Sequence, residues 1–214
     1  GAIDFNLPES VFEFDDEGRI AGVLKAERNI AHRIIEEFML AANEAVAEIL
    51  YRAGAAFLRR VHTAPDPRKM KALTEFVNEL GIPAENLEDR FELQQLLKTV
   101  HGRPEEYAVN YAALRSLQRA VYSPAEDGHY ALASDCYCHF TSPIRRYPDL
   151  TVHRLLDTVM EKRKPVNDLN LAFAMGEHCS DREQRAEAAE RDLTKVKLLN
   201  YLSSRIGEEL DGVV

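Results

Sequence analysis

HYALASDCYCHFTSPIRRYPDLTVHRLL, residues 129–156, decides how the rest of this sequence is read. It places four flat rings (Tyr130, Tyr137, Phe140 and Tyr147) around a Thr141-Ser142-Pro143 break. Proline fixes its own φ and pushes the preceding residue towards extended backbone, so Ser142 opens a turn rather than continuing a helix. Arg145 and Arg146 follow at once, where an apolar helical period through Leu150, His153 and Leu156 begins. Two guanidiniums are therefore expected at the start of a helix, on a rigid turn, beside aromatic faces.

Cations at a helix N-terminus oppose its dipole by about 0.3–1 kcal/mol. An anion held between the guanidinium forks and the helix's free N–H groups would reverse that penalty, and rings beside such an anion suit stacked bases. The alternative is structural: both arginines pair with Asp149 and with acidic residues elsewhere. The chemistry of the stretch leaves both open.

Working outward, AHRIIEEFMLAAN (residues 31–43) lies upstream, and LRSLQRAVYSP leads into GHYALA across residues 114–133. Together with HFTSPIRRYPDLTVHRLL, in this order, these stretches resemble the ribonuclease II / ribonuclease R family of processive 3′-to-5′ exoribonucleases, and are closer to its ribonuclease R branch. The resemblance runs along nearly the whole chain. It implies an α+β fold in which long helices pack on a small antiparallel sheet, forming part of the family's catalytic domain. It also implies Mg²⁺-dependent hydrolysis of single-stranded RNA to nucleoside 5′-monophosphates.

Carried over residue by residue, the resemblance gives Arg145 a catalytic role at the scissile phosphate. Glu36 and Glu190 are placed at the terminal riboses, Ser142, Arg146 and Tyr147 beside the RNA, and Phe5 in a base-stacking clamp. A carboxylate that accepts ribose hydroxyls is a sensible means of demanding RNA over DNA. For Glu36, an arginine partner in a core salt bridge is the competing assignment. The family's metal-binding aspartate cluster lies upstream of the segment that Gly1 to Phe5 resembles, so no metal ligand is assigned here. Residues 1–205 are expected to be the C-terminal part of the catalytic domain, and 206–214 the start of an S1-type RNA-binding domain. On that basis the 214 residues alone are expected to be inactive. The rival function is a non-catalytic RNA-binding module or degenerate relative; a purely structural helical adaptor would leave the TSPIRRY turn unexplained.

Composition agrees with a substantial core: 45% of residues are hydrophobic and 29% charged. There is no apolar run of about 18 residues, so no membrane span is expected, and GAIDFNLPES does not read as a signal peptide. Three cysteines, Cys136, Cys138 and Cys179, suggest free thiols in a reducing, cytoplasmic setting. A Cys-Tyr-Cys spacing without a second pair argues against zinc. The net charge of −9 does not exclude nucleic acid, because affinity follows the local field more than the sum. A monomer is expected for the intact protein.

The remaining elements follow from period and punctuation. SVFEF (10–14) and RIAGVL (19–24) flank Asp15-Asp16-Glu17-Gly18, a hairpin with glycine where positive φ is needed. Asp15 and Asp16 are read as turn residues, not ligands. A helix is expected over 26–53, buried on much of its circumference, with others over 68–80, 87–102, 105–123 and 168–205, and a strand at 55–62. Tyr107, Tyr111 and Leu114 share a face expected to be core. His62 and His101 are read as surface or packing residues, and His129, His139 and His153 as packing or phosphate-side residues.

Overall fold

The computed structural model describes residues 2–5, 7, 10–26 and 29–209. Among them, the elements are β1 (Ser10–Phe14), β2 (Ile20–Lys25), α1 (Ile30–Arg52), β3 (Arg59–Val61), α2 (Pro67–Glu79), α3 (Arg90–Thr99), α4 (Glu106–Ser116), β4 (Val121–Ser123), α5 (Tyr147–Met160) and α6 (Leu169–Ser203). Two antiparallel two-stranded sheets, β1–β2 and β3–β4, accompany the helices, so the fold is α+β. No described helix is long and apolar enough to cross a membrane. The chain divides into two units, one of residues 1–7 and 30–180, the other of residues 8–29 and 181–214.

The first unit holds three apolar clusters. In one, α2, α3 and α4 bury Met70, Leu73, Val77, Leu93, Leu96 and Val109 together. Full burial of a side chain of this kind contributes about 1.5–3 kcal/mol. Local chemistry fixes where two of these helices begin. Asp66 accepts the N–H of Arg68 at 2.9 Å with Pro67 in the first turn, and Asp89 accepts the N–H of Phe91 at 2.7 Å. In the second cluster, the C-terminal half of α1 (Val46, Ala47, Leu50) packs with Phe57, Cys138 and Val152 of α5. The third seats Cys179 and Met175 of α6 on Leu58 and Tyr122 beside the β3–β4 pair.

That last contact is close. A Cβ at Gly176 would lie 2.5 Å from the carbonyl oxygen of Tyr122, so only glycine admits this approach. Four residues on, Ser180 accepts the Tyr122 N–H at 2.9 Å, satisfying a strand donor that has no ladder partner on that side.

The second unit contains the expected hairpin. Asp15 accepts the backbone N–H of Arg19 at 2.7 Å and its Nε–H at 3.0 Å, and Gly18 takes φ 75°. The ammonium of Lys197, on the later part of α6, lies 5.0 Å from the ring centroid of Phe14. The charge-dense stretch 181–195 is mostly exposed.

Three expectations are corrected. α1 is buried only from Asn43 onward, at Asn43, Val46, Ala47 and Leu50, while Ile30, Ile34, Ile35 and Phe38 are exposed, because α5 and the 136–140 segment reach only the later half. The third of the mid-chain helices stops at Ser116 rather than running to 123. Leu117 turns extended at ψ 157°, and Val121–Ser123 pairs with β3. Tyr107, Tyr111 and Leu114 are exposed rather than core: α4 buries Val109, Asn110 and Ala113, the neighbouring face. The expected S1-type segment at 206–214 lies largely outside the described residues.

Candidate functional site

The segment from Tyr137 to Arg146 is held by hydrogen bonds from three directions. The backbone N–H of Arg60 in β3 donates to the carbonyl of Tyr137 at 2.9 Å. From α1, the buried Asn43 side chain donates to the Tyr137 hydroxyl and accepts the Phe140 N–H, both at 2.9 Å. From α5, the His153 ring stacks on Phe140 with centroids 4.1 Å apart, and its Nε2 lies 2.9 Å from the Phe140 carbonyl oxygen. The loop therefore arrives at Thr141 with little freedom left.

The turn itself closes on Ser142, whose carbonyl accepts the N–H groups of Arg145 at 3.3 Å and Arg146 at 3.1 Å. Asp149, fully buried in the first turn of α5, supplies the other anchor. Its Oδ1 accepts the Ser142 N–H at 2.8 Å and an Nη2–H of Arg146 at 2.7 Å. Proline at the first turn of α5 removes one orphan donor, and a carboxylate there suits the helix dipole.

The two adjacent arginines thereby acquire different states. Arg146 is committed to Asp149, the salt-bridge alternative drawn from the sequence. Arg145 is exposed, and makes no ion pair among the described residues. Its neighbours Ile144 and Tyr147 are exposed as well, Ile144 at 98%.

Behind the turn runs a chain of rings: His62 to His129 at 5.0 Å between centroids, His129 to Tyr137 at 5.4 Å, Tyr137 to His139 at 5.9 Å, and His139 to Tyr122 at 5.6 Å. The Tyr122 hydroxyl and His139 Nδ1 lie 2.9 Å apart. Burial pushes the His139 imidazole down to about 3, helped by Arg146, Arg60, His129 and Arg145. His129 is pushed down to about 4 by burial, then by His62 and Arg60. Both rings are neutral at pH 7, and three guanidiniums gather their field at this place in a chain of net charge −9.

The other expected site residues are more dispersed. Glu36 is half-buried on α1, two helical turns before Asn43. Phe5 is half-buried against the cluster of α2 to α4, where the Ile3 N–H donates to the Ala131 carbonyl at 2.7 Å. Glu190 is exposed on α6 in the second unit. Sequence reading passed over Asn43, although an amide within an apolar helical stripe is itself a signal, and gave Asp149 no role beyond ion pairing.

No group of three His, Cys, Asp or Glu side chains among the described residues could hold a metal. Asp15 is used by Arg19 in its turn, and Asp149 by Ser142 and Arg146, so these two carboxylates do not fit the Mg²⁺ that the family resemblance implies.

A family model described as the RNB domain matches residues 1–162. Ribonuclease R of Aquifex aeolicus is 41% identical over 219 residues, covering 100% of this chain and 31% of that protein. Among solved structures, Mycoplasma genitalium RNase R in complex with ribose-methylated single-stranded RNA is similar with a TM-score of 0.87 at 30% identity, covering 97% of this chain and 34% of that one. Yeast Ssd1, a pseudonuclease, is similar with a TM-score of 0.63 at 25% identity, covering 72% of this chain and 20% of the other. The helical α+β scaffold is thus shared with proteins described as ribonuclease R. The chain belongs to the RNB family, and spans about a third of the length of the curated relative quoted above.

Proposed function

We propose that this chain forms the C-terminal half of the catalytic domain of an exoribonuclease that hydrolyses single-stranded RNA from its 3′ end to nucleoside 5′-monophosphates. The observation that carries this reading is Arg145: an exposed guanidinium without an ion pair among the described residues, on a turn braced by α1, β3 and α5. A planar fork of donors matches phosphoryl oxygens, and charge that builds on them in the transition state is best met by donors already in place. Arg145 is the catalytic residue. Ser142, Arg146 and Tyr147 shape the surface beside it, with Tyr147 the one whose exposed ring could stack on a base.

Glu36 and Glu190 are assigned to terminal ribose hydroxyls, and Phe5 to base stacking, on the family resemblance. The Mg²⁺ ligands are assigned, on the family resemblance, to an aspartate cluster outside this sequence. The metal would supply an activated water and charge neutralisation. The whole protein is proposed to act as a monomer in the cytoplasm.

A second reading, an RNA-binding relative without catalysis, is favoured by the similarity to a protein described as a pseudonuclease. Degradation of a 5′-labelled single-stranded RNA in the presence of Mg²⁺ separates the two. The assay compares the 214 residues alone with the full-length protein. A ladder of one-nucleotide steps from the full-length protein only supports the enzyme and the half-domain assignment. Activity in the short chain would overturn the assignment of the metal ligands elsewhere, and binding without any ladder would favour the second reading.

A further inference from the structure

Arg145 has no side-chain hydrogen bond or ion pair among the described residues, so its placement depends on the backbone between Ser142 and Arg146. Both ends of that interval converge on one atom. Asp149 Oδ1 accepts the Ser142 N–H at 2.8 Å and the Arg146 Nη2–H at 2.7 Å. Asp149 is fully buried, on a helix whose next turn is anchored by the equally buried Val152. Its second oxygen, Oδ2, and the Nε of Arg146 are both buried without hydrogen-bond partners among the described residues. A carboxylate kept inside the fold with one oxygen unsatisfied is poorly explained by stability alone, since a hydrophobic pair of similar volume is often as stable.

Resting on the function proposed above, we infer that Asp149 is a positioning residue for the reaction: it sets the Ser142–Arg146 turn so that Arg145 meets the phosphate in register. It touches no substrate and acts only through Arg145. The turn without it would keep its contacts to Asn43 and His153 at Tyr137 and Phe140, but lose its anchor where Arg145 projects. Asp149→Asn keeps an oxygen for the Ser142 N–H and removes the charge that holds Arg146.

The test is a double-mutant cycle in the full-length protein, with Arg145→Ala, Asp149→Asn and both together. Each variant is measured for single-turnover RNA hydrolysis, RNA dissociation constant and thermal midpoint. The expected result is an Asp149→Asn rate about tenfold or more below wild type, with affinity within about twofold, and almost no further loss when Asp149→Asn is added to Arg145→Ala. Losses that multiply in the double variant, or a lowered thermal midpoint with an unchanged rate, overturn the positioning role and leave the function of Arg145 intact. An unchanged rate in Arg145→Ala overturns the functional reading itself, and the positioning role with it. If Asp149→Asn does not fold, Arg146→Gln, which removes the other half of the pair, takes its place in the same cycle.

Discussion

The amide of Asn43 on α1 accepts the backbone N–H of Phe140, 97 residues later in the chain, at 2.9 Å. The same side chain donates to the Tyr137 hydroxyl, so one buried residue closes two hydrogen bonds on the loop that leads to Arg145. Asn43→Leu leaves a backbone N–H and a hydroxyl without their partner. An orphaned buried group costs about 1–3 kcal/mol, and the pair together is expected to cost roughly 2–4 kcal/mol in urea unfolding. Asn43→Asp keeps the acceptor for Phe140 and is expected to fall between the two. A Leu variant as stable as wild type would show that the loop is held by packing alone.

The approach of α6 to β4 is limited by Gly176, where a Cβ would stand 2.5 Å from the Tyr122 carbonyl oxygen and 3.3 Å from the Cα of Ser123. Gly176→Ala gains about 1 kcal/mol of helix propensity and forces apart two backbones that cannot yield cheaply. The clash is expected to win, with a net loss of about 1–3 kcal/mol in chemical denaturation. A stabilised Ala variant would mean that the helix and strand separate without cost.

The neutral imidazoles behind the turn give the fold an acid limit. His129 and His139 are depressed in the folded chain, to about 4 and about 3, so between those values and the ordinary histidine range the unfolded chain binds protons that the folded chain refuses. Their contribution is therefore present in full above about pH 6.5 and is lost as pH falls towards 4 and 3. The urea midpoint is expected to drop steadily from pH 7 to pH 4.5, and less steeply in His129→Phe. A midpoint flat across that range would show that both rings protonate within the fold at no cost.

Neighbouring arginines are expected to fail in different ways. Removing Arg146 strands the buried Asp149 carboxylate, and Arg146→Ala is expected to cost about 3 kcal/mol or more of stability. Arg145→Ala removes an exposed side chain without an ion pair among the described residues, and is expected to alter the unfolding free energy by no more than about 0.5 kcal/mol. Equal destabilisation by the two substitutions would show that Arg145 is also part of the structural pair.

Much of this was legible in the residues. Alternation around Asp15 to Gly18 specified the hairpin, and the Pro143 break specified the turn. Periodicity located α1, yet it reports only which face is apolar, not whether anything covers it; hence Ile34 and Phe38 were expected inside and lie outside. The end of α4 was missed because the helical spacing runs on beyond Ser116, with no glycine or proline before Pro124 to mark the change to β4. Arg145 and Arg146 are equivalent in sequence until Asp149, three residues beyond the second, selects one of them. That selection depends on the reach of a buried oxygen, which only the folded backbone defines.

The most direct test of the central claim is single-turnover hydrolysis of a 5′-labelled single-stranded RNA by the full-length protein and its Arg145→Ala variant, with RNA affinity measured in parallel. If Arg145 meets the transition state, the rate falls about 10²–10³-fold while the dissociation constant changes little. Comparable losses in rate and affinity, or no loss of rate, would contradict the account and reduce Arg145 to a simple anchor.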